Sequence, residues 1–246
     1  VGHIFLAGEA PGLFYGYVTQ GIVQKEDITE NGIKYIKQDG SVGYYQTVNK
    51  TTPVAGDVKY VDRNGDGVVD DNDRDIIGNP NPDFTYGFQT KVSWKSLSLS
   101  ASFNGVQGRD ILNVGNRYNN TPGTKSNNVT RKAFQNMWTD ENPSNLYPKS
   151  TFVVQNMVMD RYVEDGSYLR CSDITLSYVL PAKWTNKIGI KNTSVYASVK
   201  NAFVITDYSG YDPEVNSFAF DGLRPGVDMN SYPTPRSFVF GLNLTF

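Results

Sequence analysis

The chain has 246 residues, with 23 basic and 25 acidic side chains and a formal charge of −2. That balance argues against nucleic acid, whose binders carry a clustered basic surface. One cysteine, Cys171, excludes an internal disulfide, and one histidine, His3, excludes a two-histidine metal site and a histidine relay far from the N-terminus.

Sixteen Tyr, 13 Phe and 3 Trp, with many Thr, Val and Ser, suit a pleated surface, while 23 Gly and 12 Pro supply turns. No apolar run reaches the roughly 18 residues of a transmembrane helix. Transmembrane strands remain open, since they need only about ten alternating residues. The sequence opens mid-pattern at Val1 without a signal peptide and reads as a fragment or processed piece.

In chain order, residues 1–82 are rich in turn formers. They read as an extracellular loop region with short strands near Phe14–Val18 and Val58–Val61. Within it, Asp62 to Asp73 follows the twelve-residue EF-hand loop pattern. Side-chain oxygens come from Asp62, Asn64, Asp66, Asp70 and Asp73, a backbone carbonyl from Val68, and the sharp turn from Gly67. Calcium, a hard ion with six to eight oxygen ligands, is the cofactor such a loop would take. Position twelve is Asp rather than Glu, and no amphipathic helix flanks the loop, so an EF-hand domain is not expected. The plain alternative is a solvated acidic turn.

From Asp83 the period becomes two, and residues 83–246 read as barrel strands and their loops. Phe84, Tyr86, Phe88, Val92 and Trp94 alternate with Thr85, Gln89, Lys91 and Ser93. Leu97, Leu99, Ala101 and Phe103 follow after only Lys95-Ser96, which predicts a hairpin. Further runs place Ile174, Leu176 and Tyr178 on one face, then Val195, Ala197, Val199, Phe203 and Ile205. The last carries Phe238, Phe240, Leu242, Leu244 and Phe246. Connections alternate between short and long, as at the two rims of an outer-membrane barrel. Alternation alone suits a soluble β-sandwich equally well. The long loops and the final strand ending on Phe246 favour the barrel. The fold class is therefore all-β: antiparallel strands from the C-terminal part of a transmembrane barrel, with long extracellular loops.

Enzymatic signals are weak. Glu141, Glu164 and Asp165 lie in polar stretches that place no two carboxylates together, and neither a P-loop nor a nucleophile elbow is present. No residue is assigned a catalytic role.

Several segments, in order along nearly the whole chain, resemble the C-terminal region of SusC/RagA-type TonB-dependent outer-membrane transporters. They are Gly12–Tyr17, Gly56–Asp62, Ile77–Phe84, Tyr162–Arg170, Tyr211–Val215 and Tyr232–Ser237. The resemblance implies a barrel of about 22 strands, an N-terminal plug, and contact with TonB through an N-terminal region missing here. It implies a SusD-like surface lipoprotein as partner and import of oligosaccharides or peptides across the outer membrane of a Gram-negative bacterium. It also implies that Phe238, Phe240, Leu242, Leu244 and Phe246 form the signal read by the barrel-assembly machinery. The rival reading is a soluble, calcium-stabilised carbohydrate-binding β-sandwich, with Tyr208, Tyr211, Phe218 and Phe220 stacking on sugar rings.

Overall fold

The computed structural model describes residues 2–121, 128–150, 157–185 and 192–245. Phe246, expected to end the final strand, lies outside the described residues. The chain forms two compact units. One comprises residues 1–81, 110–164 and 216–231; the other comprises 82–109, 165–215 and 232–246.

The second unit is a five-stranded sheet of β1 (Phe84–Trp94), β2 (Leu97–Gln107), β3 (Tyr168–Val179), β4 (Asn192–Thr206) and β5 (Ser237–Thr245). Each strand pairs antiparallel with the next in sequence. The β1–β2 hairpin turns through Lys95, whose φ of 53° lies in the left-handed region that two-residue turns use. Paired residues share a face, so the register fixes which side chains lie together. Phe88 faces Phe103, Val92 faces Leu99, Leu99 faces Leu176, and Val195 faces Leu242.

Two bulges interrupt this register. Ser102 pairs with Asp173 while Phe103 pairs with Cys171, which leaves Ser172 as an extra residue on β3. On β4, Asn201 and Ala202 fall between Lys200, which faces Asp173, and Phe203, which faces Cys171. Asn201 takes a φ of 52° there. The two irregularities compensate, so Phe103, Cys171 and Phe203 stay on one face.

The first unit holds residues 1–81, expected as mainly loop with two short strands. The two expected strands are present as Leu13–Tyr17 and Val58–Tyr60, but they belong to a network of short strands. Leu13–Tyr17 is the centre of a sheet flanked by His3–Ile4 and Arg74–Gly78. Gly32–Ile36 pairs with both Ile28–Thr29 and Val42–Tyr45. Phe14, Ile22, Tyr35, Tyr45, Val48, Tyr60 and Val69 are fully buried. The first unit also extends beyond residue 82. Segments 110–164 and 216–231 pack with the first 81 residues, and Leu112–Asn113 pairs parallel with Val227–Asp228.

Buried tyrosines build this core because their hydroxyls find partners. Tyr35 donates to the Asp62 carbonyl at 2.7 Å, and Tyr45 accepts from the Tyr60 backbone N–H at 3.1 Å. Burial, together with the nearby Asp62 and Asp73 carboxylates, pushes the Tyr35 hydroxyl up to about 12. Burial raises the Tyr45 and Tyr60 hydroxyls as well, so all three tyrosines are neutral at ordinary pH.

Candidate functional site: a two-faced strand wall and an acidic loop

One face of the sheet is apolar across all five strands. Phe84, Phe88, Val92, Trp94, Leu99, Leu176, Ile205, Phe238, Phe240, Leu242 and Leu244 are all exposed, Trp94 at 69% and Phe240 at 80%. Soluble proteins rarely expose so large a contiguous apolar surface. The four described residues of the expected terminal signal, Phe238, Phe240, Leu242 and Leu244, share this face.

The opposite face is polar. Asp173 is its centre: Lys200 Nζ lies 2.5 Å away, and Thr175 and Ser198 donate to it at 2.7 and 2.8 Å. The Thr175 and Ser198 hydroxyl oxygens lie 2.9 Å apart. Ser93 and Ser98 share a hydrogen bond of 2.8 Å across the β1–β2 pair. The period-two pattern folds this way because one set of side chains prefers hydrocarbon and the other prefers water.

At one end of the sheet sits an ionic cluster that sequence reasoning missed. Arg170 on β3 holds Asp212 at 2.5 Å, with both side chains almost fully buried. Its Nε lies 2.9 Å from Glu214 in an ionic contact, and Tyr168 and Asn104 also donate to Glu214. Arg109 donates to the Pro213 carbonyl. Burial works to raise the Asp212 carboxyl, but the N–H groups of Glu214 and Thr234 and the Arg170 charge outweigh it and hold the group below the usual range. The signal was present: Tyr162–Arg170 and Tyr211–Val215 are both segments that carry the family resemblance. What sequence cannot give is that they meet.

In the acidic loop the expected oxygens are mostly occupied by backbone N–H groups. Asp62 is buried and accepts from Gly65 at 2.6 Å and Gly67 at 2.8 Å. Asp73 is fully buried and accepts from Arg63 at 2.8 Å and Asp70 at 2.8 Å. Asn64 accepts from Asp66, Asp66 from Val68, and Asp70 from Asn72. Val68 opens the two-residue strand Val68–Val69, paired with Thr47–Val48. Burial pushes the Asp62 carboxyl up, against the pull of Gly67 and Gly65 and with the push of Asp73 and Asp66. The donor set is all oxygen and suits a hard cation. Among the described residues, no group of three or more acidic side chains gathers with metal-ligand geometry.

The sugar-stacking aromatics of the sandwich reading are placed differently. Tyr208 is buried, while Tyr211 and Phe220 are exposed. Phe218 meets Phe220 edge-on and carries Arg224 on its ring. Among the described residues of the sheet's unit, no second sheet covers the apolar face.

No family model matches the chain. A TonB-dependent receptor of Formosa agariphila is 35% identical over 201 residues, covering 78% of this chain and 20% of its own length. A second receptor of that organism is 33% identical over 248 residues, covering 99% of this chain and 23% of its own length. The TonB-dependent receptor SusC of Bacteroides thetaiotaomicron is 34% identical over 194 residues, covering 76% and 17%. The chain thus spans about a quarter or less of the length of these relatives. Among solved structures, the RagAB peptide importer in its open-open state matches with a TM-score of 0.67 and 24% identity, covering 100% of this chain and 24% of that one. Its closed-closed state gives a TM-score of 0.65 and 23% identity, covering 100% and 25%. That likeness is one of fold.

Proposed function

The chain belongs to the SusC/RagA-type TonB-dependent receptor family, and from that premise we propose that it supplies wall strands and loops to an outer-membrane barrel that imports nutrients. The observation that carries this reading is the two-faced sheet. Strands of nine to 15 residues meet the length that crossing a hydrocarbon layer requires. Their apolar face meets lipid and their polar face, with Asp173, Lys200 and Thr175, meets the lumen. Neither β1 nor β5 has a second neighbour among the described residues. In lipid each unpaired backbone group costs several kcal/mol, so both edges pair with further strands of the full-length receptor. The segment from Phe238 to Phe246 is the signal that the barrel-assembly machinery reads.

The first unit forms loop structure on the extracellular side, where a SusD-like lipoprotein closes over substrate. TonB acts through an N-terminal region beyond this chain, in the outer membrane of a Gram-negative bacterium. The cargo is an oligosaccharide or a peptide, and the chain has no catalytic part in moving it. The acidic loop takes a calcium ion that stiffens it. A strain lacking the full-length receptor is expected to lose uptake of one labelled pool, glycan or peptide, and a protonophore is expected to abolish the same uptake in the parent. Unchanged uptake of both pools by the deletion strain overturns the reading.

A further inference from the structure

Within the first unit lies a cavity of about 480 Å³ whose charged lining is Asp71, Arg74 and Arg117. Two of these charges satisfy each other. Arg74 contacts Asp71, and the Tyr17 hydroxyl donates to the same Asp71 oxygen at 3.0 Å. Arg117 is left over. It sits on α1 (Val114–Asn120), whose first turn is fixed by the Asn113 side chain accepting from Asn116 at 2.8 Å. Arg117 is only 9% exposed. Its guanidinium carbon lies 5.3 Å from the Tyr118 ring centroid, and among the described residues its side chain makes neither an ion pair nor a hydrogen bond. A guanidinium cannot shed its proton, so Arg117 presents a fixed charge and up to five N–H donors, and none of its nitrogens is sealed from the cavity's solvent.

The remaining lining tells what else the occupant must offer. Leu112, Val114 and Met157 give the cavity an apolar wall. The volume is that of a small-molecule site. We propose that this cavity binds a small organic carboxylate, with Arg117 gripping the carboxylate through its planar fork and the apolar wall covering the adjoining carbon skeleton. A carboxylate suits this place better than a neutral group because the cavity's one acidic side chain, Asp71, is already engaged by Arg74 and Tyr17. The inference rests on the cavity alone and does not depend on what the receptor imports.

Equilibrium binding to the purified full-length receptor in detergent tests it without any transport step. The probes are trialanine with a free C-terminus, its C-terminal amide, and glucuronate. The expected result is binding of at least one free carboxylate and, for the peptide pair, loss of binding on amidation. Trialanine binding without glucuronate assigns the carboxylate to a peptide end; glucuronate binding without trialanine assigns it to an acidic sugar. Arg117→Met is expected to weaken the bound probe by about tenfold or more, and Arg117→Lys by less, since lysine keeps the charge but not the fork. Equal binding of trialanine and its amide, or no binding of either carboxylate, overturns the proposal even if the variants fail to fold.

Discussion

The ring of Phe88 stacks on the ring of Phe103, with centroids 4.5 Å apart and planes 15° from parallel. Phe103 in turn meets Phe203 at 6.3 Å. The three aromatics form a row across the apolar face, from β1 through β2 to β4, bridged by Cys171 on β3. Such contacts add roughly 0.5–1.5 kcal/mol each beyond the area buried, yet Phe88 is half exposed. The lipid contact proposed for this face would make that exposure favourable.

Placing labels on neighbouring residues tests this directly. A spin label at Phe88 in the full-length receptor is expected to be relaxed by oxygen dissolved in lipid. A label at Gln89 is expected to respond to a water-soluble nickel complex instead. The opposite pattern inverts the assignment of faces, and water accessibility at both positions removes the sheet from the membrane.

Arg170 and Asp212 tie β3 to the segment that follows β4. Both are buried, so Asp212→Ala strands a guanidinium with only the poorly aligned Glu214 for company. Breaking a buried pair from one side costs about 3–5 kcal/mol. The expected outcome is a large fall in the unfolding midpoint of the full-length receptor. The pH dependence has a definite sign. Because the folded-state Asp212 carboxyl is held low, its contribution is complete above the ordinary carboxylate value of about 3.9 and is lost as pH falls through the lower folded value. The gap in stability between wild type and Asp212→Asn should therefore be widest near neutrality and close in strong acid. A gap independent of pH down to about pH 2 removes Asp212 as the titrating partner.

The acidic loop has its own test. Its oxygens already satisfy backbone N–H groups, so a cation has to draw on the remaining lone pairs of Asp62, Asn64, Asp66, Asp70 and Asp73 and on the Val68 carbonyl. A dissociation constant of about 10⁻⁴–10⁻³ M is expected. Calorimetry on the full-length receptor should register calcium heat that Asp66→Ala removes. If the substitution leaves the heat unchanged, Asp62–Asp73 is an acidic turn held by its own capping bonds.

The five long strands were legible because each holds enough residues for a period of two to stand out, and the Lys95-Ser96 turn declares its own hairpin. The bulges were not. Ser172 and Asn201 look like ordinary members of an alternating run, and only cross-strand pairing exposes them. The first unit was hidden for a different reason. Its strands are two to five residues long, too short for a period, and partners such as Leu112 and Val227 lie far apart in sequence. The acidic loop could be read as a motif, whereas the occupation of its oxygens by backbone N–H groups could not. Arg117, in the stretch Val114–Asn120, reads as a polar loop residue, and nothing in its neighbours announces that its side chain is buried.

Gly241 on β5 faces Tyr196 on β4, and a Cβ built at Gly241 would fall 2.2–2.4 Å from the outer atoms of the Tyr196 ring. The ring lies where a side chain would otherwise stand, covering a glycine that would weaken the strand if left bare. Gly241→Ala therefore forces the ring away, and the gain from replacing glycine in a strand is set against the loss of that cover. In the wild-type background the substitution is expected to cost about 1 kcal/mol. In the Tyr196→Ala background it meets no ring, and alanine should be neutral or slightly stabilising. The double-mutant cycle should thus show a coupling of about 1 kcal/mol between residues of adjacent strands. Urea unfolding midpoints of the four full-length variants measure it. Additive effects would mean that the ring does not rest on Gly241 and that the β4–β5 pairing is held by its backbone bonds alone.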